Sequence, residues 1–66
     1  MLLTVNGTPR EVSEGTTLTQ LLTDLGLRPG AVVVEHNGTA LLRGEVVTAT
    51  LAGGDRLELV RAVAGG

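Results

Sequence analysis

The 66 residues carry seven acidic side chains against five arginines, a formal net charge of -2, and hold no cysteine, no aromatic residue and no lysine. That inventory excludes a disulfide framework, a thiolate metal site and a thiol nucleophile, and its scattered charge offers no basic face for nucleic acid. What it permits is one small domain with an aliphatic core of Leu and Val, because a chain this short buries only about 60% of its unfolded surface.

Met1 to Val5 reads as a strand, Asn6-Gly7 as a two-residue hairpin turn and Thr8 to Val12 as the returning strand. Pro9 gives no ladder hydrogen bond, which puts that second strand at an edge. The apolar start is too short for a signal peptide or a membrane span and lacks a basic flank, so a soluble cytoplasmic protein without a membrane partner is expected. Ser13-Glu14-Gly15 then breaks the pairing.

Leu18, Leu21, Leu22 and Leu25 fall at i, i+3, i+4 and i+7, a full apolar stripe for one helix face, with Thr19, Gln20, Thr23 and Asp24 on the wet side. Thr17 and Gln20 have the spacing of a capping box, placing the helix start near Thr17. Gly26 suits a left-handed C-terminal cap and Pro29 forbids continuation, placing the end near Leu25. Ala31 to Glu35 is β-branched and reads as a central strand, closed by a turn at Asn37-Gly38, with a short strand around Ala40 to Leu42 returning. From Arg43 to Thr50 the pattern supports a short turn or a single helical turn with Val46 and Val47 as core contacts. Gly53-Gly54-Asp55 is a turn, and Arg56 to Arg61 alternates as a final strand that turns Leu57 and Leu59 toward the helix and Glu58 and Val60 away. One amphipathic helix on one sheet is a two-layer α+β domain over residues 1–61.

Residues 62–66 run past that strand as a flexible tail ending Ala64-Gly65-Gly66. Glycine lacks a Cβ, so such an end can thread a narrow site where backbone must approach backbone. Five extended residues reach about 17 Å. With no lysine to accept an acyl group, the chain could donate its Gly66 carboxylate but not receive another copy's. The helix covers one face of the sheet. The other face stays wet or is covered by a partner; Val60, with Arg61 at the rim and Val63 beyond, is the candidate docking patch, the alternative for Val60 being an ordinary exposed apolar residue.

Other reactive-looking residues read as ordinary. His36 is the only histidine and reads as a polar residue beside a turn. Glu35, Asp55 and Glu58 read as solvated strand charges, because an acid-base pair needs a pocket that so small a core does not supply. No Gly-rich segment links a strand to a helix in the phosphate-loop pattern, so no cofactor or metal is expected on this chain.

Taken together, Val5-Asn6-Gly7, Gly15-Thr16-Thr17-Leu18, Leu25-Gly26-Leu27, Val32 to Val34 with Asn37-Gly38, Gly54 to Val60 and the Gly65-Gly66 end resemble the ubiquitin-like β-grasp sulfur carriers of the ThiS and MoaD family, most closely the ThiS type. Where relatives often have a proline-arginine pair, this chain has Leu42-Arg43. The resemblance implies a four- to five-stranded mixed sheet packed on one helix. It also implies a carrier that is not itself an enzyme. A ThiF-like adenylating enzyme, using Mg-ATP, would convert the Gly66 carboxylate to an acyl-adenylate. A persulfide donor such as a cysteine desulfurase would turn that into a thiocarboxylate, and a ThiG-like thiazole synthase would receive the sulfur. A carrier for molybdopterin synthesis or tRNA thiolation, and a modifier conjugated to other proteins through Gly66, remain compatible with the same residues.

Overall fold

Two Asn-Gly pairs set the register of the sheet. In the computed structural model, which describes residues 1–61, Asn6 and Gly7 have φ of 51° and 80°, and Asn37 and Gly38 have φ of 51° and 87°. Positive φ at both central positions is what a type I′ hairpin turn requires. The first turn joins β1 (Leu2–Val5) to β2 (Thr8–Glu11). The second joins β3 (Val32–His36) to β4 (Thr39–Ala40). The last strand, β5 (Arg56–Arg61), runs between the hairpins, parallel to β1 and antiparallel to β3, giving the order β2-β1-β5-β3-β4. Pro9 lies in the edge strand β2, as its missing donor demands.

The helix α1 (Leu18–Asp24) begins at the expected capping box: Gln20 N–H donates to Thr17 Oγ1 at 3.1 Å and Thr17 N–H donates to Gln20 Oε1 at 2.9 Å. It ends in a Schellman motif, with Gly26 at φ 74°, Gly26 N–H on the Thr23 carbonyl and Leu27 N–H on the Leu22 carbonyl. Leu18, Leu21 and Leu22 lie fully buried against Leu3, Val32, Val34, Leu57 and Leu59 of the sheet, with Val46 closing one side. The core is aliphatic throughout, as the composition requires.

Differences from the sequence reading sit at element ends. Ala31 belongs to a 3-10 turn (Pro29–Ala31), so β3 starts and ends one residue later than expected. β4 is two residues long and stops at Ala40, because Leu42 already caps α2 (Arg43–Thr48), where the Glu45 carboxylate takes the Leu42 N–H at 2.7 Å. Within α2 only Val46 enters the core; Val47 is 58% exposed, since adjacent helical residues point about 100° apart. The expected tail, residues 62–66, lies outside the described residues. No helix among the described residues is long and apolar enough to cross a membrane.

Candidate functional site at the end of the central strand

Because β5 is the middle strand, it is held from both sides, by β3 as far as Arg61 and on the β1 side as far as Leu59. On the β3 side, Val60 pairs with Val33 and Arg61 with Val32. On the β1 side the backbone turns away after Val5, and the Asn6 side chain continues the ladder in its place. Its Oδ1 accepts the Leu59 N–H at 2.7 Å and its Nδ2 donates to the Leu59 carbonyl at 3.2 Å. Asn37 does the matching work where β5 begins. Its backbone N–H donates to the Arg56 carbonyl at 2.8 Å and its Oδ1 accepts the Arg56 N–H at 2.8 Å. Both turn asparagines thus grip the central strand, one near each end.

The start of β5 is further fixed by Asp55, and here the sequence expectation is corrected: Asp55 is not a solvated charge but is 9% exposed. Its Oδ2 accepts the Ala52 N–H at 2.9 Å and faces His36 Nε2 at 2.8 Å, while its Oδ1 accepts from Asn37 Nδ2 at 3.1 Å. An ionised carboxylate only accepts, so the imidazole nitrogen facing it carries the hydrogen. Burial pushes the Asp55 carboxyl up, but the hydrogen bonds from His36, Ala52 and Asn37 outweigh it and hold the group below its ordinary value of 3.8. His36 does sit beside a turn as expected, but as part of this network rather than as a free polar group. Its role is to lock the β3-β4 hairpin to the turn before β5.

The exposed face of the sheet carries the expected Val60, 60% exposed, and with it Val33, 51% exposed, which sequence reading did not single out. The signal was present: Val32 and Val34 face inward, so Val33 faces out. Next to this apolar pair, Glu35 and Glu58 stand directly opposite each other across β3 and β5, both exposed, as expected of strand charges. Val60 and Arg61 were expected to share one docking patch. The structure puts them on opposite faces, because Arg61 has the parity of Leu57 and Leu59 and emerges on the helix side. There it lines a groove of about 320 Å³ with Gly26, Leu27, Arg28 and Ala31. Val63, Ala64, Gly65 and Gly66 lie outside the described residues. Among the described residues no group of His, Cys, Asp or Glu is arranged to hold a metal ion.

A helix packed on a mixed five-stranded sheet, with the last described strand in the middle, defines a ubiquitin-like β-grasp domain. Residues 3–66 match the model of the ThiS family. The crystal structure of a thiamine biosynthesis protein (ThiS) from Geobacter metallireducens is 38% identical, with all of both chains covered and a TM-score of 0.82. The solution structure of a thiamine biosynthesis protein from the same organism is also 38% identical, covering all of this chain and 88% of that one, with a TM-score of 0.80. A thiazole synthase from Magnetococcus marinus is 38% identical over 66 residues, all of this chain and 20% of that protein, so the chain spans about a fifth of that relative's length. The chain belongs to the ThiS family.

Proposed function

We propose that this protein carries sulfur for thiamine biosynthesis as a thiocarboxylate on Gly66, in the cytoplasm, with residues 1–61 as the recognition body and 62–66 as the arm. The observation that supports this most directly is that the family match runs through residue 66, so the Gly65-Gly66 end falls within the matched region. In the proposed sequence a ThiF-like enzyme holding Mg-ATP lets the Gly66 carboxylate attack the α-phosphorus, expelling pyrophosphate and leaving an acyl-adenylate. The terminal sulfur of a donor persulfide, such as that of a cysteine desulfurase, then displaces AMP from the acyl carbon. A thiol cleaves the resulting S–S bond, is itself oxidised to a disulfide, and leaves the thiocarboxylate. Activation is needed because a carboxylate is anionic and resonance-stabilised and has no competent leaving group. The metal and phosphate clamps belong to the partner.

Similarity to a thiazole synthase relative supports a ThiG-like enzyme as the recipient. In that reading Ala64 and Gly65 let the arm thread, and Val60, Arg61 and Val63 contact the partner, with Val33 added to the Val60 side. The test is incubation with the adenylating enzyme, ATP and a sulfur source, followed by intact and C-terminal peptide masses. Replacement of one oxygen by sulfur at Gly66 is the expected product. Sulfur transfer that survives deletion of Gly66 refutes the assignment.

A further inference from the structure

The groove beside Arg61 has a shape, a charge and a position that together specify what covers it. Its walls are fixed: Gly26 and Leu27 are the two hydrogen-bonded residues of the α1 Schellman cap, and Ala31 precedes Val32, the residue paired with Arg61. Arg28 and Arg61 flank the opening and both are exposed. Arg43 of α2 lays its guanidinium against Gly30 of the same 3-10 turn, with Nη2 3.2 Å from where a Cβ would stand. Three of the five arginines therefore meet around Pro29–Ala31 on a chain of net charge -2. Among the described residues the Met1 ammonium pairs with Glu11, His36 hydrogen-bonds Asp55, and no carboxylate is paired with any of the three arginines. Among the described residues no acidic side chain lines the groove.

We propose that this groove seats a carboxylate-bearing segment at the mouth of the channel through which the adenylating partner takes the arm. The inference rests on the carrier reading and specifies its interface. From Arg61 to Gly66 the chain spans at most about 17 Å. A partner that buries the Gly66 carboxylate at that depth brings its rim against the end of β5, where Arg61 and Arg28 stand. Closing an apolar rim over two guanidinium groups would leave buried charge unpaired, which is strongly unfavourable. Asp or Glu at the rim removes that cost, and the planar fork of each guanidinium accommodates a carboxylate with two parallel hydrogen bonds. The Val33–Val60 pair lies on the other side of the same strand end, so the rim holds β5 between an apolar contact and an ionic one.

The test is the rate of ATP–pyrophosphate exchange catalysed by a ThiF-like adenylating enzyme, with this protein as the varied substrate. Arg28→Gln/Arg61→Gln should raise the KM for the protein by about tenfold, equivalent to about 1.4 kcal/mol of binding, and leave kcat within about twofold, because the acyl-transfer chemistry lies an arm's length away. The double variant should also lose most of the wild-type rise of KM with salt, since that rise reports screening of the ionic contact. Arg10→Gln, on the far edge strand, is the single-charge control and should leave KM unchanged. All three arginines are exposed, and matching thermal melts verify the fold. A double-variant KM within twofold of wild type, with exchange proceeding, overturns the groove assignment and leaves the carrier reading standing. Absence of exchange with the wild-type protein overturns both.

Discussion

Replacing Asp55 by asparagine keeps the side chain's shape, removes its charge and halves its accepting capacity. With the amide oxygen at the Oδ2 position the bonds from His36 and Ala52 survive in neutral form, but the new NH2 then faces Asn37 Nδ2, donor against donor. Asn37 cannot turn its own amide over to escape, because its Oδ1 holds the Arg56 N–H at 2.8 Å. One hydrogen bond to a charged acceptor, worth about 1.5–3 kcal/mol, is lost and two others fall toward the neutral value of about 1 kcal/mol. The expected destabilisation is therefore at least about 2.5 kcal/mol at pH 7. For 66 residues the total stability is about 3–10 kcal/mol, so the variant gives up a large share of it. The effect has a pH signature. The folded Asp55 carboxyl lies below its unfolded value of 3.8, so its contribution is fully present above that value and is lost as pH falls through the folded one. Asparagine does not titrate. The gap between wild type and Asp55→Asn should consequently narrow as the solution is taken from pH 7 into that acid window. With no aromatic residue in the chain, urea unfolding followed by far-UV circular dichroism is the assay. A gap below about 0.5 kcal/mol at pH 7, or one that stays constant in acid, would refute the reasoning.

Asn6→Gly keeps the positive φ of the first turn and deletes both side-chain bonds to Leu59; a loss of about 1–2 kcal/mol is expected, with amide exchange accelerated at Leu59 before the helix amides. Glu58→Lys converts a directly opposed like-charge pair with Glu35 into an attractive one and should stabilise by about 0.2–1 kcal/mol, read as a melting point higher by a few degrees at low salt and less at high salt. Leu21→Ala opens a cavity at a fully buried position and should cost about 2–5 kcal/mol, whereas Val60→Ala on the exposed face should stay within about 0.5 kcal/mol, both measured by the same urea titration.

Local chemistry accounts for what was legible in advance. The Thr17–Gln20 box, the Gly26 cap and the two Asn-Gly turns are satisfied by neighbours within a few residues, so their geometry is written in short stretches of sequence. The leucine stripe and the alternation in β5 each name an inward face without any need to know the partner strand. Element ends were less legible. Whether Ala31 is strand or turn depends on how Val32 pairs with Arg61, and whether Leu42 ends a strand or caps α2 depends on Glu45 reaching its N–H.

For the site, a single-strand reading correctly turned Val60 outward but put Arg61 at the rim of the same patch, whereas parity in β5 sends Arg61 to the helix side, into a groove completed by Arg28 from beyond the helix cap. His36 and Asp55 are 19 residues apart, and Asn6 and Leu59 are 53 apart. No local pattern marks such pairs, because they exist only where β5 lies between β1 and β3. Backbone preference and hydrophobic period alone thus specify an aliphatic two-layer domain, its turns and its helix. The burial and bonding of Asp55, the clamping of the central strand by the turn asparagines, and the separation of an apolar face from a cationic one at the strand's end emerge with the assembled sheet. Those outcomes depend on which strands become neighbours, and that is settled by packing across the whole sheet.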